Sequence, residues 1–510
     1  MDELNVYSFV LKQSMIYNVK RFEVFKMKRM LSKRDFRVFE IINLLVEHPT
    51  MTLNEISSLV EISIRTLSDE IKNINSIISP SKIITSQEGI LLFIPAESSI
   101  REIYGKILSE SLEYKLLRYL FFYESRKADD IAEDLFISTS TLARSIKSIS
   151  QLLNEDEIVI DTFNHCIIGD ELTISKMFTS LFLELQFVED EELIDEDQKA
   201  ILLTLQNKMR EQGYLTTIFP SRNDLTIWLY VRVQRIKNKH YFAIEEDSNN
   251  YDSFLDDSIL CQDFLEIFDL NLNSSILDQM FYPFYTKKYA KVYDDIELLI
   301  VVNKKANYLY KNIKELIDKT ARTMTINTKN TEELQVLLFN LLQFTNHPLY
   351  ILYSKSNMFI KKFIKENAVI CAVIKKHINS IFPNYNEEAK NMILYYIVTC
   401  WEALFHRVKM NFNALSIGIL IDANKGHREL ILDMIQNSSK AKTIILSLES
   451  ISDIESIKTI DVVITNIPNI KLDTTEIVYI DEYLNYNDLR NILLAQERIY
   501  RNRLIKSIQI

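Results

Sequence analysis

The chain has 510 residues and a formal net charge of −11, and its hydrophobic content of 47% is ordinary for a globular protein. Its length predicts roughly three to five domains, and no apolar run approaches the ~18 residues of a membrane span. Six glycines without a GxGxxG or GxxxxGK motif argue against nucleotide-dependent catalysis, and the four cysteines lack metal-ligand spacing. We expect no catalytic site, no metal and no cofactor.

Residues 1–30 are predicted to form a basic helical leader that lacks the features of a secretory signal, and the scattered cysteines are typical of reduced thiols in the cytoplasm. Between residues 20 and 37 the chain carries eight Lys and Arg against two acidic residues. Such a stretch can neutralise DNA phosphates. The alternative interpretation, a basic helix that is exposed to solvent and binds nothing, is equally plausible. Residues 31–170 carry 14 Lys and Arg against 22 Asp and Glu, so contact with nucleic acid depends on how these charges are distributed.

Two segments that lie 75 residues apart share one pattern. Residues 54–67 read NEISSLVEISIRTL, and residues 129–142 read DDIAEDLFISTSTL. A short amphipathic helix, a tight turn and a serine that caps a second helix are typical of a helix-turn-helix. We predict recognition helices over Ile64–Ile74 and Thr139–Leu152. The alternative is a pair of helical hairpins that bind no nucleic acid.

A pair of short β-prone runs follows each helix-turn-helix and predicts a wing. The runs are Lys82–Thr85, Ile90–Ile94, Glu157–Asp161 and Cys166–Ile168. We therefore predict winged helix-turn-helix domains over 31–98 and 99–170. Such domains place their second helix in the major groove of double-stranded DNA. The side chains expected to touch DNA are Arg65, Thr66, Lys72, Thr139, Thr141, Arg144 and Lys147.

The rest of the chain changes from helical to alternating periodicity. Apolar residues recur at helical spacing up to about residue 412, and two breaks in the pattern divide this part into helical bundles over 171–288 and 289–412. From residue 413 onward, short β-branched runs alternate with helical stretches, which predicts a small parallel sheet with helices on both faces. The runs are Ser416–Ile421, Lys442–Leu448, Asp461–Thr465 and Glu476–Ile480.

Two winged helices, two helical bundles and a small α/β domain, in this order, resemble the Mga/AtxA family of bacterial global regulators. The resemblance covers about residues 31–510 and is strongest in the paired helix-turn-helix segments. It implies a multidomain α+β protein whose bundles are phosphotransferase-system regulation domains (PRDs). Residues 225–238, LTIWLYVRVQRIKN, are similar to a PRD helix that ends in an arginine. The C-terminal domain, 413–510, would resemble the EIIB component of a sugar phosphotransferase system.

The chain departs from that family pattern at the positions where the family carries its phosphorylated histidine and cysteine residues. The PRD phospho-acceptor histidine would fall on Trp228 in the first bundle and on Leu337 in the second, and neither accepts phosphate. If phosphorylation occurs, the candidates are His240, His347, His377 and His406. The EIIB cysteine would follow the first strand, where Asp422-Ala423-Asn424 stands instead, so transfer of phosphate through cysteine is excluded.

The resemblance implies a DNA-binding transcriptional regulator, an activator of virulence or carbohydrate-linked genes, and not an enzyme. Its expected partners are double-stranded DNA, a second copy of the chain in a homodimer, and phosphotransferase-system proteins that modulate it; no membrane partner is expected. One alternative is an RNA-binding antiterminator with PRDs, against which the paired helix-turn-helix segments argue. Another is an unphosphorylated oligomeric scaffold, which a salt-dependent shift of duplex DNA would separate from a regulator.

Overall fold

A computed structural model describes most of the chain after residue 25. The described residues are 26–48, 50–86, 89–186, 188, 193–215, 220–244, 251–284, 289–324, 326–344, 350–404, 416–438, 444–448, 460–470, 472 and 475–508. The chain divides into two compact units. One comprises residues 1–299 and 340–354, and the other comprises residues 300–339 and 355–510.

The first unit begins with two successive winged helices. The first contains α1 (Lys26–Met30), α2 (Lys33–Glu47), α3 (Leu53–Leu59), α4 (Ile64–Ile77), β1 (Lys82–Ser86) and β2 (Gly89–Phe93). The second contains α5 (Ile100–Glu110), α6 (Leu112–Phe122), α7 (Ala128–Asp134), α8 (Thr139–Leu153), a 3-10 turn (Asn154–Asp156), β3 (Ile158–Asp161) and β4 (Cys166–Gly169). Each strand pair is an antiparallel hairpin, so a helix lies at both positions predicted for a recognition helix and a hairpin at both positions predicted for a wing.

A helical region follows the second wing, as predicted. Its described helices are α9 (Glu171–Leu185), α10 (Glu196–Glu211), α11 (Arg222–Lys237), α12 (Asp252–Leu255), α13 (Ser258–Phe268), α14 (Ser274–Phe281), α15 (Tyr293–Val302), α16 (Lys304–Met324), α17 (Glu332–Phe344), α18 (Lys355–Glu366), α19 (Ala368–Ile381) and α20 (Glu387–Cys400). Both positions at which a PRD histidine was considered are apolar and buried, with Trp228 4% and Leu337 3% exposed.

One apolar core joins the two winged helices to α9. It contains Ile56 and Leu67 from the first winged helix, Ile131 and Leu142 from the second, and Phe178 from α9. The end of the leader joins the same core, because Met27 and Met30 of α1 are buried in it. In α8, for example, Leu142, Ile146, Ile149 and Leu153 recur at helical spacing, so this helix buries one face and leaves the other exposed.

The remaining helices of the first unit surround a second core, in which α11 packs against α9, α10 and α14. Residues 350–354 also belong to this unit. The buried carboxylate of Glu184 in α9 accepts hydrogen bonds of 2.6–2.9 Å from the backbone N–H groups of Leu352 and Tyr353. A segment distant in sequence is therefore fixed to the winged helices through α9.

The second unit combines a helical bundle with an α/β domain. Within the bundle α16 packs on α19, and α18, α19 and α20 pack on one another. The α/β domain contains β5 (Ser416–Leu420), α21 (Lys425–Ser438), β6 (Ile444–Ser447), β7 (Val462–Thr465), β8 (Glu476–Tyr479) and α22 (Tyr486–Ile508). All pairs of neighbouring strands are parallel, which confirms the predicted parallel sheet, and the order is β6-β5-β7-β8, so β8 lies at an edge.

Apolar side chains cover both faces of this sheet. Ile417, Ile419 and Val462 pack with α21 and α22 on one face, and Leu420 and Val463 belong to a separate cluster on the other. Both described helices of this domain therefore lie on one face, and the helix predicted over 451–457 lies outside the described residues. Continuous apolar strands are typical of parallel sheets that are buried on both sides. Among the described residues, no helix combines the length and apolar content that crossing a bilayer requires.

Candidate DNA-binding surface

The turns of the two helix-turn-helix units have the same geometry. The N–H of Ile62 donates to the carbonyl of Ser57 at 3.1 Å, and the N–H of Ile137 donates to the carbonyl of Ala132 at 2.9 Å. The residue before each isoleucine is left-handed, with φ of 55° at Glu61 and 54° at Phe136. Neither is a glycine, so this feature was not predicted from the sequence.

The serines that were predicted as helix caps open both recognition helices. Ser63 Oγ accepts the backbone N–H of Thr66, and Ser138 Oγ accepts that of Thr141, each at 3.1 Å. The hydroxyl of each threonine lies 2.8 Å from the hydroxyl of its serine. Thr66 and Thr141 therefore stabilise the caps, a role beyond the predicted DNA contact, and Thr141 is half-buried.

The predicted basic side chains lie on the exposed faces of the recognition helices. Those of Arg65, Lys72, Arg144 and Lys147 are exposed, as is Thr139. The opposite faces of the helices are buried through Leu67 and Ile74 in α4 and through Leu142, Ile146, Ile149 and Leu153 in α8. The structure thus places all seven predicted residues on these two helices, with their charged ends directed away from the core.

The two exposed faces differ in charge at equivalent positions. In α4 the ammonium of Lys72 lies 3.2 Å from the carboxylate of Asp69. The residue 75 positions after Asp69 is Arg144, which donates instead to the Ser140 carbonyl and the Thr141 hydroxyl, both at 3.3 Å. The second recognition helix therefore carries two basic side chains where the first carries an ion pair.

Three basic side chains between residues 20 and 37 are engaged by other parts of the protein, whereas Lys33 and Arg34 of the same stretch are exposed. Lys28 is buried, with its ammonium 4.2 Å from the centroid of the Phe39 ring. Arg29 forms an ion pair of 2.8 Å with Glu155, and Arg37 forms one of 2.6 Å with Glu70. Ion pairs between residues 33 and 126 positions apart depend on how the helices pack, which the charge count did not show.

A buried cluster of charges lies behind the second winged helix. Arg232 and Arg235 of α11 have fully buried side chains, and both form ion pairs with Glu171, the first residue of α9. Arg235 also lies 3.3 Å from Glu124, and it donates to the carbonyl of Ile167 in β4 at 3.0 Å. Glu124 connects α6 to α7, so the cluster fixes the wing and the helix-turn-helix to α11.

The protonation states of this cluster follow from burial and pairing. Burial raises the pKa of Glu171, but the hydrogen bond and charge of Arg235 and the charge of Arg232 outweigh it, and the pKa lies below its ordinary value. Burial lowers the pKa of Arg232 to about 10, so the guanidinium remains charged at neutral pH. The sequence pattern singled out only Arg235, the arginine of the PRD-like helix. Its partners Glu171 and Glu124 could not be predicted, because they lie 64 and 111 residues away in the sequence.

Two of the four candidate phosphorylation sites lie within the described residues. His240 Nε2 lies 2.8 and 3.1 Å from the two carboxylate oxygens of Glu124. His377 lies near the hydroxyls of Thr320 and Thr323, and burial lowers its pKa. His347 and His406 lie outside the described residues. In the part of the chain that the structure describes, no group of three His, Cys, Asp or Glu side chains is arranged to hold a metal ion.

Known proteins resemble this chain over the winged helices and beyond. Residues 96–182 match the Mga helix-turn-helix domain, a range that spans the second winged helix and most of α9. A protein of Streptococcus pneumoniae serotype 4 named as a trans-acting regulator is 23% identical over 440 residues, which cover 82% of this chain and 83% of that protein.

Two further relatives come from Bacillus anthracis and carry the name capsule synthesis positive regulator. AcpA is 22% identical over 68% of this chain and 72% of its own length. AcpB is 19% identical over 62% and 67%, respectively. These names indicate regulators rather than enzymes.

Proposed function

We propose that this chain is a regulator of the Mga/AtxA-like family, which it resembles, and that it binds double-stranded DNA through its two winged helices and activates transcription. The observation that carries the proposal is the repeated recognition helix, capped by serine at its start and basic on its exposed face. Activation, rather than repression, is supported by the relatives that are named positive regulators. The proposal includes that the genes it activates are virulence genes or carbohydrate-linked genes.

Binding to duplex DNA is expected to weaken steeply with salt. Each phosphate that a Lys or Arg neutralises releases counterions, so the logarithm of the binding constant falls linearly with the logarithm of salt concentration. Fluorescence anisotropy of a labelled 40-base-pair duplex between 50 and 300 mM salt measures this slope, with an RNA hairpin as competitor. Preference for the hairpin would favour an RNA-binding antiterminator, and no binding to duplex at low salt would refute the proposal.

We further propose that phosphotransferase-system proteins modulate this regulator through histidine. His240 is the described histidine whose modification has the clearest consequence, because its Nε2 contacts Glu124 in the segment that leads into α7. A phosphoryl group on Nε2 would replace that hydrogen bond with repulsion between two negative groups. The segment before the second helix-turn-helix would then lose one of its attachments to the helical bundle.

Incubation with phosphoenolpyruvate and the general phosphotransferase proteins is expected to label the chain. Replacement of His240, His347, His377 and His406 by alanine should remove the label, while leaving three other histidines in place. The matched control is replacement of those three, His48, His165 and His427. Label that survives the first set and disappears with the second would contradict the assignment.

We infer a homodimer through the C-terminal α/β domain. In α22, Leu489, Ile492 and Ile499 pack on the sheet of their own domain, whereas Leu493 is 53% exposed. A symmetric dimer would present four winged helices and raise affinity through bivalence. Light scattering of Leu493→Asp, with the equally exposed Leu430→Asp as control, tests this: an unchanged mass for both variants places association elsewhere.

A further inference from the structure

A groove of about 540 Å³ lies between the second recognition helix and its wing. Leu142, Ile146 and Val159 form its apolar lining, and Lys147 lies beside them. Volumes of this size and an apolar lining with few polar groups are typical of small-molecule sites. Two of the seven residues predicted to bind DNA, Thr139 and Lys147, also line the groove, but Leu142 and Ile146 belong to the inward face of α8.

The first winged helix has a polar connection at the equivalent place. There the side chain of Asn75 in α4 donates to the carbonyl of Ile83 at 3.0 Å and accepts its N–H at 2.6 Å, which joins helix to wing. The residue 75 positions later is Ser150, and the equivalent wing residue is Ile158. Over the fully described wing, no hydrogen bond runs from the Ser150 side chain to β3 or β4, and the groove is open beside it.

His165, in the tip of the wing, also lines this groove. It is 9% exposed, and its Nδ1 is buried without a hydrogen-bond partner. A buried polar atom that lacks a partner is rare in folded proteins and calls for a ligand, ion or water. This observation is independent of the shape of the groove.

The positive charge of Lys147 at the rim of the groove indicates which class of ligand the groove would bind. Lys147 is exposed, and within the described residues its ammonium forms no ion pair, whereas the equivalent Lys72 is held by Asp69. One cation, one unsatisfied imidazole nitrogen and an apolar floor fit a monoanion with an apolar body. A DNA phosphodiester is polar throughout and would leave the exposed side chain of Val159 uncovered.

We propose that the groove between α8 and the β3–β4 wing binds a small amphiphilic carboxylate. The carboxylate contacts Lys147 and accepts a hydrogen bond from a ring N–H of His165, and the tail lies on Leu142, Ile146 and Val159. The site itself does not depend on DNA. Its consequence does rest on the proposed function: a ligand that engages Lys147 between recognition helix and wing lowers affinity for DNA.

Isothermal titration calorimetry of the full chain with octanoate, without DNA, tests the site. Octanoate should bind once per chain, and octan-1-ol, which has the same tail and no charge, should bind at least about tenfold more weakly. Lys147→Ala should weaken octanoate binding about tenfold, and Lys147→Arg should retain it. No binding of octanoate, or equal binding of octan-1-ol, overturns the proposal.

The sharpest variant is Ser150→Asn, which introduces into α8 the side chain that joins helix to wing in the first unit. It should reduce octanoate affinity at least about tenfold, whereas Ser148→Asn, on the exposed side of the same helix, should not change it. Unchanged affinity in Ser150→Asn overturns the proposal. Because calorimetry needs no DNA, its result is separate from that of the duplex-binding experiment.

Discussion

Replacement of Arg235 by alanine is expected to lower the free energy of unfolding by about 3–5 kcal/mol. The side chain is fully buried and donates to both carboxylate oxygens of Glu171, at 3.0 and 2.7 Å. Its removal leaves Glu171 with only Arg232 as a cation and leaves the carbonyl of Ile167 without this donor. A buried carboxylate that loses a cation is costly because water cannot replace the lost interaction.

Urea unfolding of the full chain, followed by circular dichroism and intrinsic fluorescence, measures this loss. Lys237→Ala is the matched control, since it removes a positive charge from the same helix at an exposed position and should change stability by less than about 0.5 kcal/mol. Equal stabilities of the Arg235 and Lys237 variants would show that the cluster does not hold the winged helix to α11.

Arg235→Ala should also change how the free energy of unfolding depends on pH in the acid range. The pKa of Glu171 lies below its ordinary value of 4.5, so its pairing adds stability above that value and loses it as pH falls through the folded pKa. The difference between the wild-type chain and Arg235→Ala should therefore be largest near neutral pH and narrow under acid conditions. A difference that grows on acidification would contradict the sign of this linkage.

The double replacement Arg144→Ala and Lys147→Ala is expected to weaken binding to duplex DNA about 100-fold at low salt. Each lost charged contact to a phosphate is worth about 1.5–3 kcal/mol, and the slope of log affinity against log salt should fall by about two. Both side chains are exposed on α8, while Leu142 and Ile146 hold that helix in the core. Stability should therefore change little.

Anisotropy titrations at several salt concentrations show whether weaker binding comes from the lower net charge of the protein or from the loss of contacts made by α8. Lys304→Ala with Lys305→Ala removes the same charge from exposed positions on α16 and should leave the salt slope unchanged. If the α8 pair behaves like this control, the second recognition helix does not contact DNA. If both pairs weaken binding equally, only the net charge matters.

Local chemistry allowed much of the fold to be predicted. The serine caps, the apolar spacing and the β-branched runs placed the recognition helices at their observed starts, Ile64 and Thr139, and located both wings and the parallel sheet. These signals act over a few residues, because caps and helical faces are determined by neighbours three or four positions apart. The exposed positions of Arg144 and Lys147 follow from the same periodicity.

Only the tertiary structure decided which charges are available. Lys28, Arg29 and Arg37 looked like a basic surface in the sequence, yet one is buried and two are paired with acids far along the chain. The cluster around Arg235 likewise joins the connection between α6 and α7 to α9 and α11. The tertiary structure also shows the effect of having Asn75 in one recognition helix and Ser150 in the other. Asn75 bonds its helix to the wing, whereas Ser150 lines an open groove, and such contacts depend on packing distances that local sequence does not encode.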